Sequence, residues 1–551
     1  MQVWRVNTRT QTLTKEPVPL PWQHLGGRGL LARALLDEGV ATCDPLGPNN
    51  KLIFAPGLLV GHMLSSCDRI SVGAKSPLTG GIKESNAGGS TGLKITHMGI
   101  KALILEDQPE GDGWWVLHLS LDGARFDPAD DLAGLGVYEA AVRLRERYGD
   151  DPAISLIGPG GEMRMTGAGI QNLDKDHVPS RINARGGMGA VMGSKRLKAI
   201  VFDATGGEAP PIVDKEAWQA ARRAYNKALL AHPQIKVFAD YGTAAMTKMC
   251  NGFGGLPTRG FSAGQFEGAE KISGESLREL LLKRGGASDP THACMAGCTI
   301  RCSNVFGDEV GDAIVSPVEY ETIGLMGSNL GIDDLDAIAR LNYQVNDLGL
   351  DSIEIGAALG VAADAGLMEF GDGQRALELL DEIRRGTALG RALGNGAATT
   401  GRVLGVNRVP VVKGQAISAY DPRAIKGTGV TYATSPQGAD HTAGLTIRAP
   451  IDHLDPEIQI PVSRSAQINM AGFDTLGACI FAGYGFAGQA DNVANLLNAR
   501  YGWDVGEDVL QQLGRETLAL EREFNRQAGF TRQHDRLPEW MTREALPPHN
   551  A

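Results

Sequence analysis

Residues 292–304 read HACMAGCTIRCSN and bring Cys294, Cys298 and Cys302 within nine positions, in a chain with seven cysteines. An odd trio cannot pair off completely, and a reducing compartment disfavours disulfides, so C-x3-C-x3-C reads as a metal site. Thiolates are soft ligands that suit iron–sulfur clusters or zinc. A cubane cluster takes four thiolates, and the fourth must come from Cys43, Cys67, Cys250 or Cys479. We take Cys479, which ends a glycine-containing turn in FDTLGACIF, although spacing alone does not select it. Zinc is an alternative, because His292 stands two residues before Cys294, but zinc sites favour C-x2-C pairs. Three cysteines packed as small hydrophobes is the blander alternative. A radical-enzyme spacing, C-x3-C-x2-C, fails by one residue in its second gap, and the barrel pattern it needs is missing.

Glycine is frequent, 73 of 551 residues, and clusters at 26–28, 80–81, 88–89, 158–161 and 186–189. Glycine turns tightly and lets a backbone approach a ligand closely. Several clusters in one region favour a bulky bound group. Gly158-Pro159-Gly160 follows the strand-like AISLIG, but GEMRMTGAGI after it does not read as a helix start. A dinucleotide fingerprint is therefore rejected, and the P-loop pattern is absent.

These groups need a frame. The chain is 42% apolar and 21% charged, the balance of a globular protein, and is long enough for two to four domains. No charge-free apolar run reaches about 18 residues, so no membrane span is expected. The start lacks a signal-peptide pattern, which makes a cytoplasmic location the expectation. The net charge of −11 argues against nucleic acid.

MQVWRVN and QTLTKEPV read as a hairpin, and KLIFAPGLL, KALILED, GWWVLHLS, AISLIG and LKAIVFDA as further strands. One clear helix, 137–149, interrupts them. A turn-rich stretch at 205–214 marks a boundary. After it a period near 3.6 takes over, in DKEAWQAARRAYNKALLAH, DDLDAIARLNYQVNDLGL, GQRALELLDEIRRG and DVLQQLGRETLALEREFNRQAG among others. The expected class is a multidomain α+β protein. A β-rich domain spans 1–208, a helical domain with three cluster cysteines 209–405, and a helical C-terminal domain with the fourth 406–551, the loop around 400–460 dividing the helical region.

Several motifs together carry a family resemblance. They are LGGRGLLARALL at 25–36, DRISVGAKSPLTGGIKESNAGGSTGLKITHMGIKALILE at 68–106, NARGGMGAVMGSKRLKAIVF at 183–202 and the cysteine cluster. Then follow SPVEYETIGLMGSNLGI at 316–332, NDLGLDSIEIG at 346–356, VVKGQAISAYDPRAIKGTGVTYATSPQGADH at 411–441 and DTLGAC at 474–479. In this order and over nearly the whole length, the chain resembles the tungsten-containing aldehyde:ferredoxin oxidoreductases. The resemblance implies a β-rich domain that seats a tungsten bis-pyranopterin, with two helical domains over it. Molybdenum shares the ligands and geometry, and the preference for tungsten rests on the resemblance.

The same resemblance implies roles. Cys294, Cys298, Cys302 and Cys479 would hold a [4Fe–4S] cluster. Arg69, Asn86, Gly88, Ala184, Arg185 and Gly186 would line the pterins and their phosphates, with carbonyls at Asn86 and near Ala184 placing a Mg²⁺ ion. Arginine forks and hard phosphate oxygens suit those tasks. The motif D-x-x-G-L-(C/D) matches at 346–351 and 474–479, so Asp351 and Asp474 would accept hydrogen bonds from pterin nitrogens, with Ala478 beside the second. Asn346 stands where the family usually has Asp, and C-x3-C-x3-C replaces the usual C-x2-C-x3-C. Glu319, Glu321 and His441 would handle protons, with Tyr432 and Asp440 as weaker candidates, and sequence does not say which glutamate faces the metal.

The implied reaction is aldehyde plus water to carboxylic acid, with electrons leaving through the cluster to ferredoxin or an iron–sulfur subunit of a homo- or hetero-oligomer. Three competitors remain: a same-family reductase of an activated aromatic acid or another substrate, a non-catalytic iron–sulfur electron-transfer subunit, and, more distantly, a zinc-stabilised binding protein.

Overall fold

Apolar runs bounded by glycine and proline turns make twelve strands of the first 202 residues, in two six-stranded sheets. The computed structural model describes residues 1–487, 489 and 491–550. The first sheet holds β1 (Gln2–Asn7), β2 (Thr12–Pro17), β3 (Leu52–Pro56), β4 (Ile70–Lys75), β5 (Ile82–Ala87) and β6 (Ile100–Glu106), in the order β2-β1-β6-β3-β4-β5. The second holds β7 (Trp115–Ser120), β8 (Gly123–Pro128), β9 (Ala153–Leu156), β10 (Ile170–Asn172), β11 (Arg181–Asn183) and β12 (Leu197–Phe202), in the order β11-β10-β9-β12-β7-β8. The expected hairpin is β1–β2, with Val3 opposite Glu16. The Asn183 amide joins the sheets, donating to the Ser85 carbonyl at 2.6 Å.

The multidomain α+β class is as expected, a β-sheet N-terminal region followed by helices. The single N-terminal helix is a correction. Besides Val137–Tyr148, helices run over Gly27–Glu38, Thr91–His97 and Met188–Ser194, with one turn at Pro159–Glu162. The reason is burial on all sides: Gly27–Leu35 is almost wholly enclosed, so no polar stripe marks its period. The strands β4 and β5 are also buried on both faces and lack alternation. In the stretch read as a dividing loop, Lys426–Thr434 is helical, and Gln459–Leu476 begins at its end.

The long helices Gln459–Leu476 and Val509–Gln527 pack on each other and on Gly27–Glu38. One apolar core joins Leu30, Leu35 and Ile53 to Leu510, Leu513 and Phe524, so the chain's two ends share an interior. The approach is closest where Gly57 meets Gly477: a Cβ at 57 would overlap the backbone of 476–477. There the Leu58 and Leu59 amides donate to the carbonyls of Thr475 (3.1 Å) and Leu476 (2.9 Å). No described helix is long and apolar enough to cross a membrane.

Candidate active site

Where β5, the turn after β11 and the C-terminal helices converge, a cavity holds about 810 Å³ of empty space, mouth included. Arg69, Asn86, Ala184, Arg185 and Asp351 line one side, and His441, Asp474, Ala478 and Cys479 the other. These residues come from five motifs far apart in the chain. Gly88, Gly186 and Asn346 stand outside the lining. Gly88 abuts the cysteines instead: a Cβ there would lie 3.2 Å from Cys294 Sγ. Gly186 has φ +84°, and a Cβ would meet the Lys83 side chain. Asn346 is buried in the last turn of Leu335–Leu348, and its carbonyl accepts from Gln171 Nε2 at 3.2 Å.

Arg69 lies at the cavity wall with its guanidinium on Asn86, donating to the side-chain Oδ1 and, at 3.1 Å, to the carbonyl. Arg185 is committed differently. Its Nε donates to Asp351 Oδ2 at 3.2 Å, and its terminal nitrogens to Ser418 Oγ, the Ala439 carbonyl and the Ala416 carbonyl. It clamps the loop 416–440 onto Asp351, and Asp351 Oδ1 caps the helix Ser352–Asp364.

His441 settles the two glutamates geometrically. Its Nε2 lies 3.4 Å from Glu321 Oε1, and its Nδ1 lies 3.0 Å from Ser418 Oγ. Glu321 Oε2 accepts from the Ala419 amide at 2.8 Å, while Oε1 has no other partner among the described residues. Burial pushes the Glu321 carboxyl above its usual range, and His441 opposes the shift. Glu319 lies elsewhere, accepting from Thr243 Oγ1, close enough to Cys302 for its charge to raise that thiol further beyond the effect of burial. Tyr432 is buried but outside the lining, whereas Asp440 lines the cavity.

A buried charge network closes the cavity floor. Arg28 grips both oxygens of Glu521 at 2.7 and 2.9 Å and reaches Asp474 Oδ2 at 3.1 Å. Gln437 bridges Glu521 (2.7 Å) to Lys83 (2.9 Å), and Lys83 pairs with Asp440. Burial pushes both Glu84 and Asp474 upward, with the Glu521 charge adding to the first shift and the Glu84 charge to the second. The sequence reading missed Lys83, Glu84, Arg28 and Glu521. The signal for Lys83 and Glu84 was IKESNA, a strand with two charges and no apolar alternation; no local pattern singled out Arg28 or Glu521.

Of the four cysteines, Cys479 lines the cavity, and the other three are not among its lining residues. The Cys479 amide donates to the Ser66 carbonyl at 2.8 Å, and Ser66 Oγ lies 3.4 Å from Cys298 Sγ. A hydrogen bond from the Cys294 thiol brings Cys298 down to about 5, against burial. No three of the described thiols share the 4.8 Å spacing that one ion would need, unlike Asp174, Asp176 and His292. A single tetrahedral zinc, with Zn–S near 2.3 Å, would draw its sulfurs closer than that. The acidic trio is accounted for within the protein, since Asp174 accepts from Ser180 and two backbone amides, and His292 donates from Nε2 to Asp176 and accepts at Nδ1 from Arg181.

Residues 3–204 match the family described as aldehyde ferredoxin oxidoreductase, N-terminal domain, and residues 220–551 match its domains 2 and 3. The chain belongs to the aldehyde ferredoxin oxidoreductase family. It is 32% identical to the tungsten-containing aldehyde ferredoxin oxidoreductase of Thermococcus kodakarensis, over 98% of this chain and 91% of that protein. The counterpart from Pyrococcus furiosus is 31% identical, with the same coverage. Among solved structures, the active-site complex BamBC of a benzoyl coenzyme A reductase shares the fold at TM-score 0.80 and 19% identity, covering 99% of this chain and 92% of that one. This family member is thus an oxidoreductase whose relatives contain tungsten, with buried cations and carboxyls around one cavity and thiols at its edge.

Proposed function

We propose that the protein oxidises an aldehyde with water to the carboxylic acid, releasing two electrons and two protons for each aldehyde, and passes the electrons to ferredoxin or an iron–sulfur subunit. The observation that carries this reading is the meeting of Arg69, Asn86, Asp474 and Cys479 with the His441–Glu321 pair around one cavity. The donor set fits a tungsten bis-pyranopterin: guanidinium and amide groups for phosphate and pterin edges, and a buried Glu84 Oε1 with no partner among the described residues. Arg69, Asn86 and Asp474 would hold it, with the Asn86 carbonyl and that near Ala184 toward Mg²⁺. Arg185 contributes by holding Asp351. Cys294, Cys298, Cys302 and Cys479 would bind a [4Fe–4S] cluster, whose size suits thiols spaced more widely than a single ion requires.

When bound, the tungsten pterin supplies the oxygen-transfer and two-electron chemistry. The chain's own residues handle protons. Ser418 at Nδ1 fixes the His441 ring, so Nε2 faces Glu321 Oε1. The Glu321 carboxyl, raised by burial, faces that imidazole and is placed to exchange a proton with it. Toward the surface, the loop 296–299 is largely exposed and Met63 is 47% exposed, with Arg222 and Arg301 nearby. That local positive charge supports an acidic redox partner docking beside Cys298.

A reductase of an activated aromatic acid is the second reading, supported by a large apolar cavity adjoining the site. The test is metal analysis of anaerobically purified protein, then aldehyde-dependent reduction of benzyl viologen. About one tungsten and four irons per chain, with aldehyde turnover, is the expected result. Metal without aldehyde turnover overturns the aldehyde reading, and iron alone leaves the electron-transfer subunit.

A further inference from the structure

On the other side of Met470 and Ile480, which line both spaces, a second cavity adjoins the candidate active site and opens to solvent. It holds about 1580 Å³ of empty space, mouth included, and its exposed wall is mainly apolar, with Phe473, Tyr484 and Phe486. Arg448 is the one cationic side chain among the described residues that line it. Aromatic faces hold that side chain in place: its Cζ stands 4.7 Å from the Phe238 ring centroid, 5.2 Å from Phe481 and 6.0 Å from Tyr484. Its one hydrogen-bond contact among the described residues is Met246 Sδ, at 3.6 Å from Nη2. A half-buried guanidinium with no carboxylate partner is uncommon, because desolvation is ordinarily offset by an anion. The buried Tyr484 hydroxyl also has no partner among the described residues. Glu507 lines the rim but is exposed and does not pair with Arg448.

We propose that this cavity receives the tail of the substrate, and that the tail is an apolar, aromatic-sized body ending in an oxyanion bound by Arg448 and Tyr484. A guanidinium without a carboxylate partner selects an anion, the neighbouring Tyr484 hydroxyl can add a hydrogen bond, and the rings select the apolar body. Charge on the substrate's far end then orients its reacting end past Met470 and Ile480, toward His441. The inference rests on the cavity beside His441 being the reaction site proposed above, and it narrows the substrate class.

The experiment compares 4-formylbenzoate and 4-formylbenzenesulfonate with the neutral 4-methylbenzaldehyde on the purified holoenzyme. The anionic aldehydes are expected to show a KM at least about tenfold lower, the worth of a charge-assisted hydrogen bond. The two anions separate a carboxylate site from a sulfonate site. Arg448→Gln is expected to collapse the ratio of neutral to anionic KM, Arg448→Lys to restore part of it, and Tyr484→Phe to lower it severalfold. A general lesion raises both KM values and leaves the ratio alone. Calorimetry of terephthalate against 4-methylbenzoate reads the same preference without turnover. If no aldehyde reacts but terephthalate binds preferentially and Arg448→Gln abolishes that, the aldehyde reading falls and the anion site stands. A wild-type ratio near one in both assays, or a ratio that survives Arg448→Gln, overturns the proposal.

Discussion

At the scale of single residues, Glu321 and Glu319 are two positions apart in sequence and have different surroundings. Glu321 faces His441, while Glu319 faces Thr243 and the cysteines. Glu321→Gln is expected to lower kcat by about 100-fold or more, the usual worth of a general acid–base group. Because burial raises this carboxyl, the limb of the pH–rate profile that reports its ionisation should lie above the ordinary carboxylate range and vanish in the variant. Glu319→Gln should leave that limb in place and instead alter the electron paramagnetic resonance signal of the cluster. Identical pH profiles for the two variants would refute the assignment. Glu321 and His441 were named by motif, yet sequence spacing carries no distance between positions 321 and 441.

At the scale of elements, the helix Ser352–Asp364 is held to the helix Gly396–Leu404 and to the short strand Gln415–Ala416 by Glu354, which accepts the Ala397 amide at 3.0 Å and the Ala416 amide at 2.8 Å. Burial pushes Glu354 up to about 7 from an ordinary 4.5. Between those values the folded chain keeps a proton that the unfolded chain releases, so stability falls as pH rises through that window. The contribution is of order 3 kcal/mol. Glu354→Gln should flatten the slope of Tm against pH between about 4.5 and 7, as calorimetry would show, and an unchanged slope would remove the buried carboxyl from the explanation. The contact of Gly57 with Gly477 offers a second test. Gly57→Ala forces the loop before β4 away from the turn that carries Cys479. Iron content per chain should drop while far-ultraviolet circular dichroism stays near that of wild type.

At the scale of the molecule, the cavity floor ties helices near both termini together: Arg28 holds Glu521 and Asp474, almost five hundred and nearly four hundred and fifty positions away. Breaking one partner of such a buried group leaves the other charge uncompensated, at about 3–5 kcal/mol. Arg28→Met is therefore expected to lower Tm by several degrees and to reduce tungsten retention, whereas the double variant with Glu521→Gln should recover part of the stability. A double variant no better than Arg28→Met would show that the pair does not couple.

The sequence determined the class of the protein on its own. Alternating strands and 3.6-period helices gave the α+β order, and motifs spread from 25 to 479 gave the family and most cavity-lining positions. Those signals are local, so they survive in one dimension. Hidden in the sequence were elements buried on every side, such as Gly27–Glu38 and β5, because patterning requires a solvent face to contrast with the core. Which glutamate meets His441, where Arg185 spends its donors, and that Arg448 stands unpaired among aromatic rings are decided only by tertiary structure. Each depends on a distance between segments that chain order leaves free, and packing fixes it.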